Sequence, residues 1–373
     1  MAGLPLAGLK VVELARILAG PWAGQVLADL GAEVIKVESP AGDDTRRWGP
    51  PFIDNGDGTQ DAAYFHSANR GKSSRVIDFS RPEGQDAVRA LVAGADVLIE
   101  NFKVGGLAQY GLDYAALSAL NPRLVYCSIT GFGQDGPYAA RAGYDFIIQG
   151  MSGIMDLTGD PDGAPQKIGV AYADIMTGLY AVIGIQAALR RREQTGVGEW
   201  IDMALFDTMV GTLANQAMNC LSSGVSPRRL GNAHPNIVPY EVFPTRDGWF
   251  ILAVGNDGQF RRVWSLLGQA EDASLATNEG RVAQRDRVSR TIADVTRGWA
   301  RDDLLAALER IGVPAGPINT VAQALDDPQI RARGMVIDAS RAGDPVPGIR
   351  TPIRFAGSVA DTPGRAAPRL GEG

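Results

Sequence analysis

The chain has 373 residues, of which 45% are hydrophobic and 21% charged, and a net charge of −6. At roughly 150 residues per domain this is about two domains of ordinary globular composition, which excludes a disordered chain. The acidic balance gives no reason to expect nucleic acid, although a local basic patch would suit a small phosphorylated ligand.

The first half alternates between two periods. Leu9–Leu14 reads as a short buried strand. Pro21–Leu30 reads as a helix with proline in its first turn and Gly31 closing it. Ala32–Glu38 and Arg75–Phe79 are further strands. Pro82–Ala93 is a helix with Ser80 as a plausible N-cap. Asp96–Phe102 and Leu124–Thr130 complete a run of strands separated by helices, the pattern of βαβ units and a mostly parallel sheet. Ala173–Gln194 is a long helix stopping at Gly196. Its terminal Arg190, Arg191 and Arg192 suit the helix dipole. Glu199–Leu205 reads as a strand and Phe206–Leu221 as a second, buried apolar helix carrying Cys220.

After Gly224 the character changes. A loop at Gly231–Pro235 precedes a strand at Gly248–Val254 and a helix at Phe260–Leu267, and helices continue to about Arg310. The expected division is a large domain over 1–224, a small domain over 225–325, and a tail over 326–373 that returns to the large domain. The tail, with Pro345, Pro347, Pro352 and Pro363, reads as strand and loop. The two cysteines, Cys127 and Cys220, have no partner at metal-ligand spacing, so no metal site and no disulfide framework is expected. Met1–Lys10 does not read as a secretory signal. The apolar run Leu179–Leu189 is shorter than the ~20 residues that cross a bilayer, so a cytoplasmic protein with no membrane partner is expected.

No G-x-G-x-x-G follows the first strand, which runs instead into Arg16-Ile17-Leu18-Ala19-Gly20-Pro21. That argues against a nicotinamide enzyme. Asp174 opens an apolar helix. There it is either the helix N-cap or a carboxylate kept ionised by helix-terminal amides as a nucleophile, and the pattern alone does not separate the two. Asn69-Arg70-Gly71-Lys72 is either a phosphate-binding turn or a solvated one. Asn101-Phe102-Lys103 stands at a strand's carboxyl end, where ligands gather in open α/β sheets. Asp43–Trp48 mixes charge with an aromatic. Gly143-Tyr144-Asp145 follows the glycine loop Gly131–Gln134, and Tyr144 taken in isolation reads as a core aromatic. His66 and His234 are the only histidines, and there is no G-x-S-x-G.

Taken in order, these segments resemble the family III CoA-transferases, a group that also contains the α-methylacyl-CoA racemases. The resemblance runs from Leu18-Ala19-Gly20-Pro21 and Leu27–Glu38, through Asp44-Thr45-Arg46, Asn69–Lys72, Glu100-Asn101-Phe102 and Gly131-Phe132-Gly133. It ends at Gly143-Tyr144-Asp145 and Asp174–Gly178. It implies a Rossmann-like large domain, a smaller α+β domain and an interlaced homodimer. It also implies coenzyme A and a carboxylic acid as substrates, with no further cofactor.

In that mechanism Asp174 attacks the donor thioester, giving a mixed anhydride, and CoA thiolate returns to make an aspartyl-CoA thioester. The acceptor carboxylate then repeats the two steps in reverse. Backbone amides near Ala19 or the glycine loops would receive the oxyanions. By the same resemblance Ile17, Leu18 and Ala19 line the pantetheine path, with Arg16 beside them, and Asn101 and Phe102 contact CoA. Lys103 stands where many members have arginine. Arg46, Arg70 and Lys72 are candidates for the CoA phosphates, Arg141 is a further CoA-binding candidate, and Tyr144 is an active-site aromatic. Trp48 and His234 are candidates for the substrate pocket.

The racemases hold a histidine where this chain has Tyr144. A tyrosine of pKa ~10 replaces such a base poorly, which favours the transferase branch. A CoA-binding protein without turnover would not need the Asp174 segment. The stretch Gly231–Asn256 lacks the glycine-rich lid of the formyl-CoA transferases, which disfavours oxalate. The expected donor is succinyl-CoA or formyl-CoA-like and the acceptor a dicarboxylate, with Arg141 or His234 pairing its distal carboxylate. Glu241, Asp257 and Cys220 carry no assigned role.

Overall fold

The computed structural model describes residues 4–341, 344–356 and 365–373, so Pro363 and the first three residues lie outside them. The chain divides into two compact units. The first comprises residues 1–154, 167–225 and 328–373, and the second residues 155–166 and 226–327.

The first unit is built on six strands: β1 (Lys10–Glu13), β2 (Glu33–Glu38), β3 (Ser73–Val76), β4 (Val97–Glu100), β5 (Val125–Thr130) and β6 (Glu199–Ala204). All neighbours are parallel and the spatial order is β3-β2-β1-β4-β5-β6. Alternating side chains feed two cores. Val11, Ile99, Val125, Cys127 and Ile129 face one, while Val12, Leu98, Leu124 and Tyr126 face the other. A sheet covered on both faces needs such runs of apolar residues, which is why the strands are legible in the sequence.

On the first face pack α1 (Ala19–Asp29) and, later in the chain, the long helix Tyr172–Thr195. Between them in sequence come α2 (Ala63–Asn69), α3 (Pro82–Ala93), α4 (Tyr114–Leu120) and α5 (Asp145–Met151), so the long helix is α6. Its contact with α1 is close. A Cβ on Gly178 would stand 2.7 Å from the Ala19 carbonyl oxygen. Contrary to the reading of Leu179–Leu189, α6 has 24 residues and is apolar and long enough to span a bilayer by length and composition alone. In this fold Ala173, Ala181, Val182, Ile185, Ala188 and Leu189 of α6 lie in the core instead.

Three local expectations are corrected. Arg81, not Ser80, is the N-cap of α3, because the Ser80 hydroxyl is turned to Asp78. The expected single helix over 206–221 is two, α7 (Leu205–Gly211) and α8 (Ala214–Ser223), broken where Ala214 takes a φ of 48°. That second helix is not buried: Met218 is 61% and Leu221 78% exposed, and Cys220 is half-buried.

Residues 328–373 belong to the first unit. The tail's Gly371 amide donates to Ser74 Oγ at 3.0 Å, and the Ser74 amide to the Glu372 carbonyl at 2.7 Å. The second unit holds an antiparallel sheet of β7 (Tyr240–Thr245), β8 (Gly248–Ala253) and β9 (Ala315–Pro317), with helices around Phe243, Phe250, Leu252 and Trp264. Within it Asp257 pairs with the buried Arg281 at 2.7 Å, and Glu241 accepts from Ser289. His234 also lies there, half-buried against Tyr240, its Nδ1 accepting from the Asn236 amide at 3.1 Å.

Candidate active site

In an open parallel sheet, ligands gather beyond the carboxyl ends of the strands where the strand order reverses. Here that point lies between β1 and β4. A cavity of about 450 Å³ occupies it, lined by Arg16–Ala19 after β1, Asn101–Lys103 after β4, Gly131 after β5, Arg141–Asp145, and Asp174. A more open cleft of about 560 Å³ in the second unit has none of the residues singled out above.

The β1 turn is made without a glycine fingerprint. Ile17 takes a φ of 69°, a left-handed conformation that a β-branched residue adopts only under constraint. Its amide donates to the Asp43 carboxylate, at 3.2 Å to Oδ2. Beside it the Arg16 amide donates to Asn101 Oδ1 at 2.8 Å and Asn101 Nδ2 returns a bond to the Arg16 carbonyl at 2.7 Å. That reciprocal pair ties the two loops at the sheet's switch point. Leu18 follows as the N-cap of α1 with no capping side chain, so the first amides of α1 have no intrahelical acceptor.

The loop after β4 is held from below. Glu100 is buried and its Oε2 accepts the Phe102 amide at 2.8 Å. Burial pushes its carboxyl up to about 7 against the pull of Ser128 and that amide.

Asp174 is not the N-cap of α6. The helix begins at Tyr172, Ala171 occupies the cap position without a capping side chain, and Asp174 is the third helical residue. The cap comes from a distant segment: Asp145 Oδ1 accepts the amides of Ala173 at 2.8 Å and Asp174 at 3.4 Å, and Gln149 Nε2 holds its other oxygen at 2.8 Å. Burial and then the Asp145 charge push the Asp174 carboxyl up to about 7, with no hydrogen bond offsetting either. Asp174 and Asp145 also contribute, after burial, to raising the half-buried Tyr64 to about 12.

These shifts fix a pH dependence. Below about 7 Asp174 is the neutral acid, and only the carboxylate attacks a carbonyl. On the expectation from the sequence that Asp174 is the nucleophile, kcat/KM for the acyl donor should rise with pH through about 7 and level off above it. Asp145→Asn removes the neighbouring charge and should move that rise to lower pH. A profile flat from pH 5 to 9 in both proteins would contradict it.

Ten residues named from the sequence line this one cavity: Arg16, Ile17, Leu18, Ala19, Asn101, Phe102, Lys103, Arg141, Tyr144 and Asp174. Arg16, Lys103, Arg141 and Tyr144 are exposed there. The Arg16 guanidinium pairs with the surface Asp44 at 3.1 Å, a weak and solvent-screened contact, and lies over the Phe102 ring at 5.8 Å to its centroid.

Arg46, Arg70 and Lys72 stand apart and are corrected as phosphate ligands. Arg46 is 6% exposed between Glu38 and Asp61, at 2.6 and 2.8 Å. Arg70 grips Asp29 and the Ile349 carbonyl, and Lys72 sits on Glu13 at 2.8 Å. A phosphate would have to displace buried carboxylates to reach them. Trp48 does not line the cavity and packs edge-on against Tyr64.

Phe79, Gln109, Tyr110 and Leu205 also line the cavity without any motif marking them, and no local signal marks Asp145 as the cap of α6. The Asp145 motif is visible in sequence, but its partner lies 28 residues on.

A sequence profile of CoA-transferase family III matches residues 6–373. The chain is 58% identical over 377 residues to a succinate–glutarate CoA-transferase of Agrobacterium fabrum, covering 99% of this chain and 93% of that one. It is 41% identical over 338 residues to the human succinyl-CoA:glutarate CoA-transferase, covering 90% and 76%. A CaiB/BaiF family protein from Brucella suis superposes with a TM-score of 0.89 at 63% identity, over 100% of this chain and 97% of that one. Sequence, strand order and the place of the cavity agree: the chain belongs to CoA-transferase family III.

Proposed function

We propose that this enzyme moves CoA from succinyl-CoA to a dicarboxylic acid of glutarate size, with Asp174 as the covalent relay. The observation that carries the reading is the Asp174 carboxylate, which has no hydrogen-bond donor among the described residues, in a cavity that also holds exposed cations. The names of the Agrobacterium and human relatives support the acid pair.

Asp174 attacks the succinyl thioester carbonyl and CoA thiolate leaves, giving a mixed anhydride. The thiolate attacks the aspartyl carbonyl and succinate leaves, giving an aspartyl-CoA thioester. The glutarate carboxylate displaces the thiolate, and the thiolate then takes the glutaryl group and frees Asp174. Each step trades one leaving group for another at a carbonyl, so the residues left to the protein bind, orient and stabilise oxyanions. The first amide of α1, that of Ala19, has no acceptor within the helix and lines the same cavity as Asp174, which suits that last task.

Arg16 and Lys103 meet the CoA phosphates, Lys103 as a point charge rather than a fork. Ile17–Ala19, Asn101 and Phe102 line the pantetheine path. Arg141, three residues before Tyr144, meets the distal carboxylate of the acyl group. The exposed Met218, Leu221 and Val225 at and just beyond the end of α8 suit a subunit interface, and we assign them to an interlaced homodimer whose mass light scattering would measure.

The test is turnover of succinyl-CoA with a panel of acceptors. Glutarate and neighbouring dicarboxylates should react, and Arg141→Ala should raise the KM for glutarate by about tenfold or more while leaving weak monocarboxylate turnover unchanged. Turnover with monocarboxylates alone would sink the acid assignment. Exchange of the α-proton of an acyl-CoA in deuterated water, without CoA transfer, would point to the racemase branch.

A further inference from the structure

The cavity wall Arg16–Ala19, with Ala15 and Pro21 flanking it, is gripped by a group of buried charges that the reaction does not use. Glu13 and Lys36 have fully buried side chains and meet at 3.1 Å. Lys36 also meets Asp43 at 2.9 Å, and Lys72 meets Glu13 at 2.8 Å. Two carboxylates and two ammonium groups so neutralise one another inside the first unit.

The group also ends on the backbone of the wall. Lys36 Nζ donates to the Ala15 carbonyl at 2.9 Å, and Lys72 Nζ to the Pro21 carbonyl at 2.8 Å. Asp43 accepts the Ile17 amide between them. Asp43 is itself fixed by the Thr45 hydroxyl at 2.7 Å and amide at 2.9 Å, and its own amide is held by Glu38 at 2.9 Å.

We infer that Asp43 and Lys36 are positioning residues for CoA transfer: they hold Ile17 in its left-handed conformation and so keep the start of α1 aligned with Asp174. An isoleucine released from Asp43 relaxes to the extended or right-handed region, and the peptide groups on either side rotate with it. The amides of α1 nearest the reacting carbonyl then leave their place, while the cavity keeps its volume. The inference rests on the reading that the start of α1 faces the carbonyl attacked by Asp174.

The role separates from mere core stability in a double-mutant cycle. Asp43→Asn is expected to lower kcat about 30-fold or more, with the KM for succinyl-CoA within about threefold of wild type. Glycine adopts a positive φ without constraint, so the same substitution made in the Ile17→Gly background should cost less than about threefold in kcat.

Asp61→Asn is the control. It removes a buried carboxylate from Arg46 but leaves Glu38, which pairs with Arg46 and holds the Asp43 amide, in place, and should lower Tm while leaving kcat within about twofold. Should Asp43→Asn not fold, Thr45→Val withdraws one donor from Asp43, and its smaller kcat loss should vanish in the same background. An undiminished loss in the Ile17→Gly background, a kcat loss shared by Asp61→Asn, or a Tm loss with kcat intact would overturn the inference. Transfer surviving in Asp174→Ala would overturn the relay reading instead, independently of the cycle.

Discussion

Asp174→Ala is expected to lose CoA transfer by a factor on the order of 10⁴ or more, with CoA still bound. A nucleophile that forms the intermediate cannot be replaced by proximity alone, and removing such a group leaves only the background of binding and oxyanion stabilisation. The intermediate gives a direct readout. Incubation with succinyl-CoA and hydroxylamine should convert the activated aspartyl group to a hydroxamate, read by mass spectrometry on the peptide containing Asp174 and absent from the variant. Transfer within tenfold of wild type, or a hydroxamate at another residue, would show that the relay lies elsewhere.

Stability should move the other way. The folded-state pKa of Asp174 is raised to about 7 from 3.8, so its ionised form weakens the fold progressively as pH climbs between those values. Asp174→Asn should therefore melt higher than wild type at pH 8, and the gap should close as pH falls below 4. A functional group held at a cost to stability has this signature.

What the sequence reveals of this molecule follows the range of the forces involved. The strands β1 to β6 are legible because both faces of the sheet are covered, leaving apolar runs such as Val97-Leu98-Ile99. The loops after β1 and β4 are legible as a site because parallel strands bring their carboxyl ends together. The turn between β1 and α1 is not, since no local preference selects a left-handed isoleucine, and the anchors at Asp43 and Asn101 are 26 and 85 residues away.

The cations were misread for the same reason. Arg46, Arg70 and Lys72 look like phosphate ligands when seen beside loops. Only the fold discloses that Glu38, Asp29 and Glu13 already neutralise them. Charged residues inside strands, such as Glu13 and Lys36, read as exposed until their partners are placed. The stretch 206–221 reads as one helix because apolar periodicity runs through it, although the positive φ of Ala214 breaks the backbone. The sequence reads Asp174 as a possible N-cap because it opens an apolar helix, but Asp145 caps that helix from 28 residues away.

Gly131→Ala tests how finely that arrangement is set. Gly131 follows β5 and faces Gly143, and neither has a positive φ. The constraint is the approach of two backbones. A Cβ on Gly131 would lie 2.5 Å from the Gly143 Cα, where ordinary contact begins at 3.4 Å. The strands' loops must part by roughly 1 Å, and the shift passes along Gly143-Tyr144-Asp145 to the cap that holds the first turn of α6. A displacement of ~1 Å at reacting groups costs about 100-fold in rate. The expected result is a kcat near one hundredth of wild type, with slower hydroxamate formation at Asp174. Gly94→Ala, whose added Cβ meets nothing within 4 Å, should leave kcat unchanged. If Gly131→Ala turns over within about threefold of wild type, the segment from Gly143 to Asp145 accommodates the extra carbon without moving Asp174, and the cap is less rigidly coupled to β5 than the contact implies.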